Sequence, residues 1–171
     1  MEPRKWKTAV VTLSDKGAKG ERKDESGPLI CEMLKGCNYQ IAEEVILPDD
    51  QEKIERELIR LSDEAGMDLI LTTGGTGFAP RDRTPEATLN VATRNAPGIA
   101  EAMRFASFGI TPKAMLSRGA SVIRNQTLII NLPGSPKAVR ENLEFILPAL
   151  GHGLGILTGT DGECGQPDRQ V

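Results

Sequence analysis

The sequence predicts an α/β protein of three layers, a mostly parallel sheet flanked by helices on both faces. Two observations lead there: short apolar runs rich in β-formers alternate with segments of helical spacing, and loops dense in Gly, Pro, Ser and Asp follow those runs. Trp6–Leu13 (WKTAVVTL) reads as the first strand, ending at Ser14-Asp15, and a polar loop then leads to a helix from Pro28 (PLICEMLKG). Tyr39–Leu47 alternates as a second strand and is broken by Pro48-Asp49-Asp50. Ile54, Leu58, Ile59 and Leu61 give 51–65 the spacing of a helix. Residues 68–73 form a short buried-type strand before glycines at 74, 75 and 77, and Thr84 is placed as the cap of a helix with Pro85 at its first position. Helical segments follow at Pro97–Phe108 and 111–116. Two strands, 120–123 and Thr127–Leu132, turn at Asn125 to make a hairpin-like edge, and 136–150 is a long helix.

Length and composition bound what such a fold does. At 171 residues the chain suits one domain, expected over 1–158, with a polar tail over 159–171 expected to be flexible. No apolar run approaches the roughly 20 residues that a membrane helix needs, so no membrane role is expected. A net charge of -3 supplies no electrostatic footprint for nucleic acid. The cysteines, Cys31, Cys37 and Cys164, are odd in number and never spaced CxxC, which argues against a disulfide framework or thiolate zinc site and fits a cytoplasmic location. His152 is the only histidine, so a histidine-based triad or a two-histidine metal site is hard to build within one chain.

In open parallel sheets ligands collect beyond the carboxyl ends of the strands. Ser14-Asp15, Pro48-Asp49-Asp50, GGTG at 74–77 and Pro133-Gly134-Ser135-Pro136 each follow a strand and are expected at that shared edge. Glycines there let an anion approach backbone N–H groups that a Cβ would shield. The loop is neither GxGxxG nor GxxxxGK[ST], and by itself GGTG equally suits a tight turn. Asp49 and Asp82 sharpen the reading, because oxygen ligands beside a phosphate-type loop suit Mg²⁺. Alone, Asp49 also suits a helix cap or first-turn acid, and the arginines flanking Asp82, Arg81 and Arg83, could pair with it or bind phosphate.

LTTGGTGFAPRDRTPEAT from Leu71 onward, with Ser14-Asp15, DESGP at 24–28, LPDD at 47–50 and INLPGSPKA at 130–138, resembles the MogA/MoaB family of molybdenum cofactor biosynthesis. That family includes the G domain of gephyrin; the likeness is greatest to its molybdopterin adenylyltransferase branch and runs from about residue 7 to residue 150. The resemblance implies a homotrimer that uses ATP and Mg²⁺ to adenylylate molybdopterin, with a MoeA-type metal-insertion protein as downstream partner. By position it assigns Asp49 and Asp82 to catalysis and to Mg²⁺. It gives Gly74, Gly75, Thr76 and Gly77 to phosphate binding, and Ser14, Asp15, Asp24, Pro133, Gly134 and Ser135 to substrate. Adenylyl transfer needs no Ser, Cys or His nucleophile, because the substrate's own phosphate attacks. A MoaB-type binding protein without transfer and a Mg²⁺-dependent phosphate hydrolase are the alternatives, and product analysis separates them.

Overall fold

The computed structural model describes residues 4–160. Among these, six strands form one sheet in the order β2-β1-β3-β6-β5-β4. They are β1 (Trp6–Leu13), β2 (Tyr39–Leu47), β3 (Leu69–Thr73), β4 (Arg94–Asn95), β5 (Ser121–Arg124) and β6 (Thr127–Leu132). The helices are α1 (Asp15–Ala18), α2 (Ser26–Leu34), α3 (Gln51–Ile59), α4 (Thr84–Asn90), α5 (Pro97–Phe108) and α6 (Pro136–Thr158). Strands β2, β1, β3 and β6 are mutually parallel, while β5 and β4 run antiparallel at one edge. The predicted fold class and late hairpin are therefore both present.

Period-two alternation divides the buried residues of the central strands between two cores. Val10, Leu69, Leu71, Leu128, Ile130 and Leu132 face α2, α5 and α6, where Ile30, Leu34, Leu143 and Leu150 meet them. Ala9, Val11, Ile70 and Ile129 face Ile54 and Leu58 of α3 and Ala87 of α4. All of β3 is buried, which is why its Leu69, Ile70 and Leu71 run on without polar alternation. No helix among the described residues is long and apolar enough to cross a membrane.

Several expected boundaries move, each for a local reason. Helix α2 begins at Ser26 because Asp24 Oδ1 accepts the N–H groups of Ser26 (3.1 Å) and Gly27 (3.0 Å). The segment expected to be helical to residue 65 is α-helical only to Ile59, then makes one π-helical turn at Arg60–Glu64. Thr84 is not a cap: Arg83 holds that position, and Thr84, fully buried, donates its Oγ1 hydrogen to Gly74 O at 3.0 Å. Residues 112–116 form a 3₁₀ turn. Helix α6 continues through the glycines after Leu150 because Leu150 and Leu154, one turn apart, both bury into the core, and Gly159 closes it with φ +71°. Gly159 and Thr160 thus belong to the helix end rather than to the expected tail, and 161–171, with Cys164, lie outside the described residues.

Candidate active site

The four parallel strands deliver their following loops to one edge of the sheet, around a cavity of about 520 Å³. Ser14, Asp24, Asp49, Gly74, Gly75, Asp82, Gly134 and Ser135 line it, as expected from the sequence. The others stand behind the wall. The Asp15 carboxylate accepts two hydrogen bonds from Arg81 (2.9 and 2.7 Å) and one from the N–H of Asp49 (3.0 Å). Thr76 is buried, its carbonyl accepting from Arg118 N at 2.9 Å, and the Gly77 carbonyl accepts from Arg118 Nε at 2.8 Å. Pro133 presents its carbonyl to Thr73 Oγ1 at 2.7 Å.

The glycine loop must be bare. Gly74 and Gly75 have φ of +95° and +66°, and a Cβ would fall 2.4 Å from Leu13 O at the first and 2.2 Å from Thr84 Oγ1 at the second. The N–H groups of Gly75, Thr76 and Gly77 make no hydrogen bond to an acceptor among the described residues, so this stretch offers three adjacent donors.

The alternative roles open to the two acids are taken by other groups. Asp50, not Asp49, caps α3, its side chain accepting from Lys53 N at 3.0 Å. Arg81 pairs with Asp15 and Arg83 with Gln51, so neither neighbour occupies the Asp82 carboxylate. One oxygen of each acid is used by backbone: Asp49 Oδ2 accepts from Asp15 N (3.0 Å) and Asp82 Oδ2 from Ala79 N (3.0 Å). The other oxygen has no hydrogen-bond partner among the described residues. Burial pushes the Asp49 carboxyl above the usual carboxylate range, and the negative charges of Asp15 and Asp82 add to this against the Asp15 N–H and Arg81. Asp15 is held below that range, chiefly by its hydrogen bond from Arg81.

Asp24 is a strut. Besides closing α2, its Oδ2 accepts from Thr12 Oγ1 at 2.7 Å, which fixes the loop carrying Arg22 and Lys23. Those two basic residues line the cavity, and sequence reasoning passed over them; their signal was two adjacent cations immediately before Asp24. Ser26 Oγ donates to Gly134 O at 2.8 Å, and Ser135 caps α6 while lining the cavity. Among the described residues no cluster of three or more His, Cys, Asp or Glu is placed to hold a metal.

A mostly parallel α/β sheet with a bare glycine loop, a basic lip and the acids Asp49 and Asp82 gathered at one edge has the chemistry of a class of proteins that act on phosphate-bearing ligands. Residues 9–152 match the family described as "Probable molybdopterin binding domain", and the chain belongs to that family. It is 44% identical over 152 residues to the molybdopterin adenylyltransferase of Helicobacter pylori strain J99, covering 88% of this chain and 86% of the relative. The structure of the molybdopterin biosynthesis enzyme MoaB from Thermus thermophilus superposes with a TM-score of 0.86 at 49% identity, covering 90% of this chain and 97% of that one. The tungsten cofactor synthesizing protein MoaB from Pyrococcus furiosus gives 0.82 at 36%, covering 91% and 98%.

Proposed function

We infer that this chain is a molybdopterin adenylyltransferase, moving AMP from ATP to the terminal phosphate of molybdopterin with release of pyrophosphate. The observation that carries this is the cavity wall itself: bare backbone at Gly74 and Gly75, two cations and four carboxylates, with no Cys or His among its lining residues. That set suits a reaction in which one substrate phosphate attacks another and the protein aligns both. An oxygen of the molybdopterin phosphate bonds to the α-phosphorus of ATP, the α–β bridging P–O bond breaks, and its electron pair leaves with pyrophosphate. The N–H of Gly75, which lines the cavity, binds a phosphate oxygen, and Arg22 and Lys23 offset the charge of the leaving group.

Asp49 and Asp82 fit Mg²⁺: both are hard oxygen donors, each with one oxygen tied to backbone and the other uncommitted. When bound, Mg²⁺ would neutralise charge on the nucleotide phosphates.

One incubation of purified protein with molybdopterin, ATP and Mg²⁺ tests the reading by mass detection. AMP joined to the pterin phosphate supports it, free AMP means a hydrolase, and no product above the protein-free control means a binding protein. The adenylylated pterin is then handed to a metal-insertion protein of the MoeA type, in the cytoplasm.

Asp49→Asn is expected to remove turnover without weakening the fold. A carboxyl raised in the folded state contributes stability below its unfolded value of about 3.9, lost as pH rises through the folded value. Ionised Asp49 therefore works against folding at neutral pH, whereas Asn keeps an oxygen for the Asp15 N–H. Thermal melts should show Tm equal to or above the parent's at neutral pH, with the difference closing towards pH 4. A clearly lower Tm would show that the charge stabilises the free protein.

The assembly is proposed to be a homotrimer. Large apolar side chains stand exposed on α5, the 3₁₀ turn after it and the segment between: Phe105 (81%), Phe108, Ile110, Met115 and Leu116. Light scattering at micromolar concentration should give three times the chain mass; a monomer would overturn this.

A further inference from the structure

Asp82 ends a loop that leaves the glycine stretch at Gly77, and both ends of that loop are held by one side chain from elsewhere in the chain. Arg118, between the 3₁₀ turn and β5, donates from Nε to Gly77 O (2.8 Å) and from Nη2 to Asp82 O (2.6 Å). Its Nη1 pairs with Glu86 in the first turn of α4, and its own N–H donates to Thr76 O at 2.9 Å. The fork is itself braced, because Arg104 of α5 donates to the carbonyl of the next residue, Gly119, at 2.7 Å. Inside the loop the Asp82 N–H donates to Ala79 O (2.9 Å), and the Ala79 N–H donates back to Asp82 Oδ2 (3.0 Å).

We propose that Arg118 is a positioning residue for adenylyl transfer, setting the Asp82 carboxylate through the main chain by clamping the carbonyls of Gly77 and Asp82 in one guanidinium fork. Such a clamp depends on the planar fork. A lysine would still pair with Glu86 as a point charge but would not hold two carbonyls at fixed separation. The inference rests on the transferase reading, so its test carries a readout independent of turnover.

Amide hydrogen exchange, kinetics and melts are measured on the full chain with Arg118→Met and Arg118→Lys. The Ala79 and Asp82 amides are expected to exchange about 10-fold faster or more in both variants, while amides of β3 and β6 stay protected. Turnover should fall about 100-fold in kcat with the KM for ATP changed little, and Lys should not restore it. In a chain already carrying Asp82→Asn, adding Arg118→Met should lower the residual turnover by less than about twofold, because the two act as one unit. Recovery of turnover by Lys, equal losses in both backgrounds, or unchanged exchange at Ala79 and Asp82 would each overturn the proposal. If the unsubstituted chain makes no adenylylated pterin, the transferase reading fails, while the exchange rates still decide whether Arg118 sets the loop.

Discussion

Asp82→Asn is expected to give a folded protein that has lost adenylyl transfer. Asn keeps the size of the side chain and an oxygen for the Ala79 N–H. It removes no ion pair, because Arg81 and Arg83 are engaged with Asp15 and Gln51. The stability change should therefore stay below about 0.5 kcal/mol. Loss of a carboxylate that aligns the metal and nucleotide should cost about 3 kcal/mol or more at the transition state, a fall of at least about 100-fold in kcat. Melting curves and single-turnover kinetics on the same preparation separate the two quantities. A folded variant with turnover within about twofold of the parent would remove Asp82 from the mechanism.

Gly75→Val is expected to act on fold and site together. From sequence, the substitution only blocks approach of a phosphate to bare backbone. The structure adds that φ is +66°, and that the new Cβ would sit 2.2 Å from Thr84 Oγ1 and 3.2 Å from Asp49 Oδ1. Thr84 cannot swing aside without giving up its hydrogen bond to Gly74 O inside a fully buried position. A β-branched residue at positive φ costs about 1–3 kcal/mol before the clash is counted, so a total loss of about 3 kcal/mol or more is expected in denaturant titrations. ATP binding should be lost in whatever fraction remains folded. Stability and ATP affinity close to the parent's would show that the loop relaxes freely and holds no phosphate.

Where a feature depended on neighbours in the chain, it could be read before the structure was known. Strands β1, β2 and β6 and helix α5 fall on their expected residues because period and punctuation are local. The convergence of Ser14, Asp49, Gly74 and Gly134 followed from parallel strands sharing an edge. Features set by distant partners were not legible. The two-residue β4 exists only because Arg94 and Asn95 meet Ile123 and Val122. Thr84 has the composition of a cap but is drawn inward by a carbonyl ten residues earlier. Arg118 carried no pattern at all, since its acceptors lie in a segment more than thirty residues away along the chain. The hydrogen bonds that Asp24 accepts from Thr12, Ser26 and Gly27 were not legible either, because nothing local to a carboxylate says which donors reach it.

The strand order has a consequence for the protein while it is being made. Among the described residues β6 is the sole link between β3 and the β5-β4 edge, yet of the six strands it is the last to be translated. Leu69 waits for Leu128, its register partner about 60 residues later, so at ordinary ribosome speeds β3 stands with one edge open for roughly 3–12 s. During that time the nascent chain presents an apolar strand edge able to pair with a neighbour on the same message, and long-range parallel pairing is slow in its own right. The Gly134-Ser135 wall arrives later still, so the cavity gains its last side only after the sheet has closed.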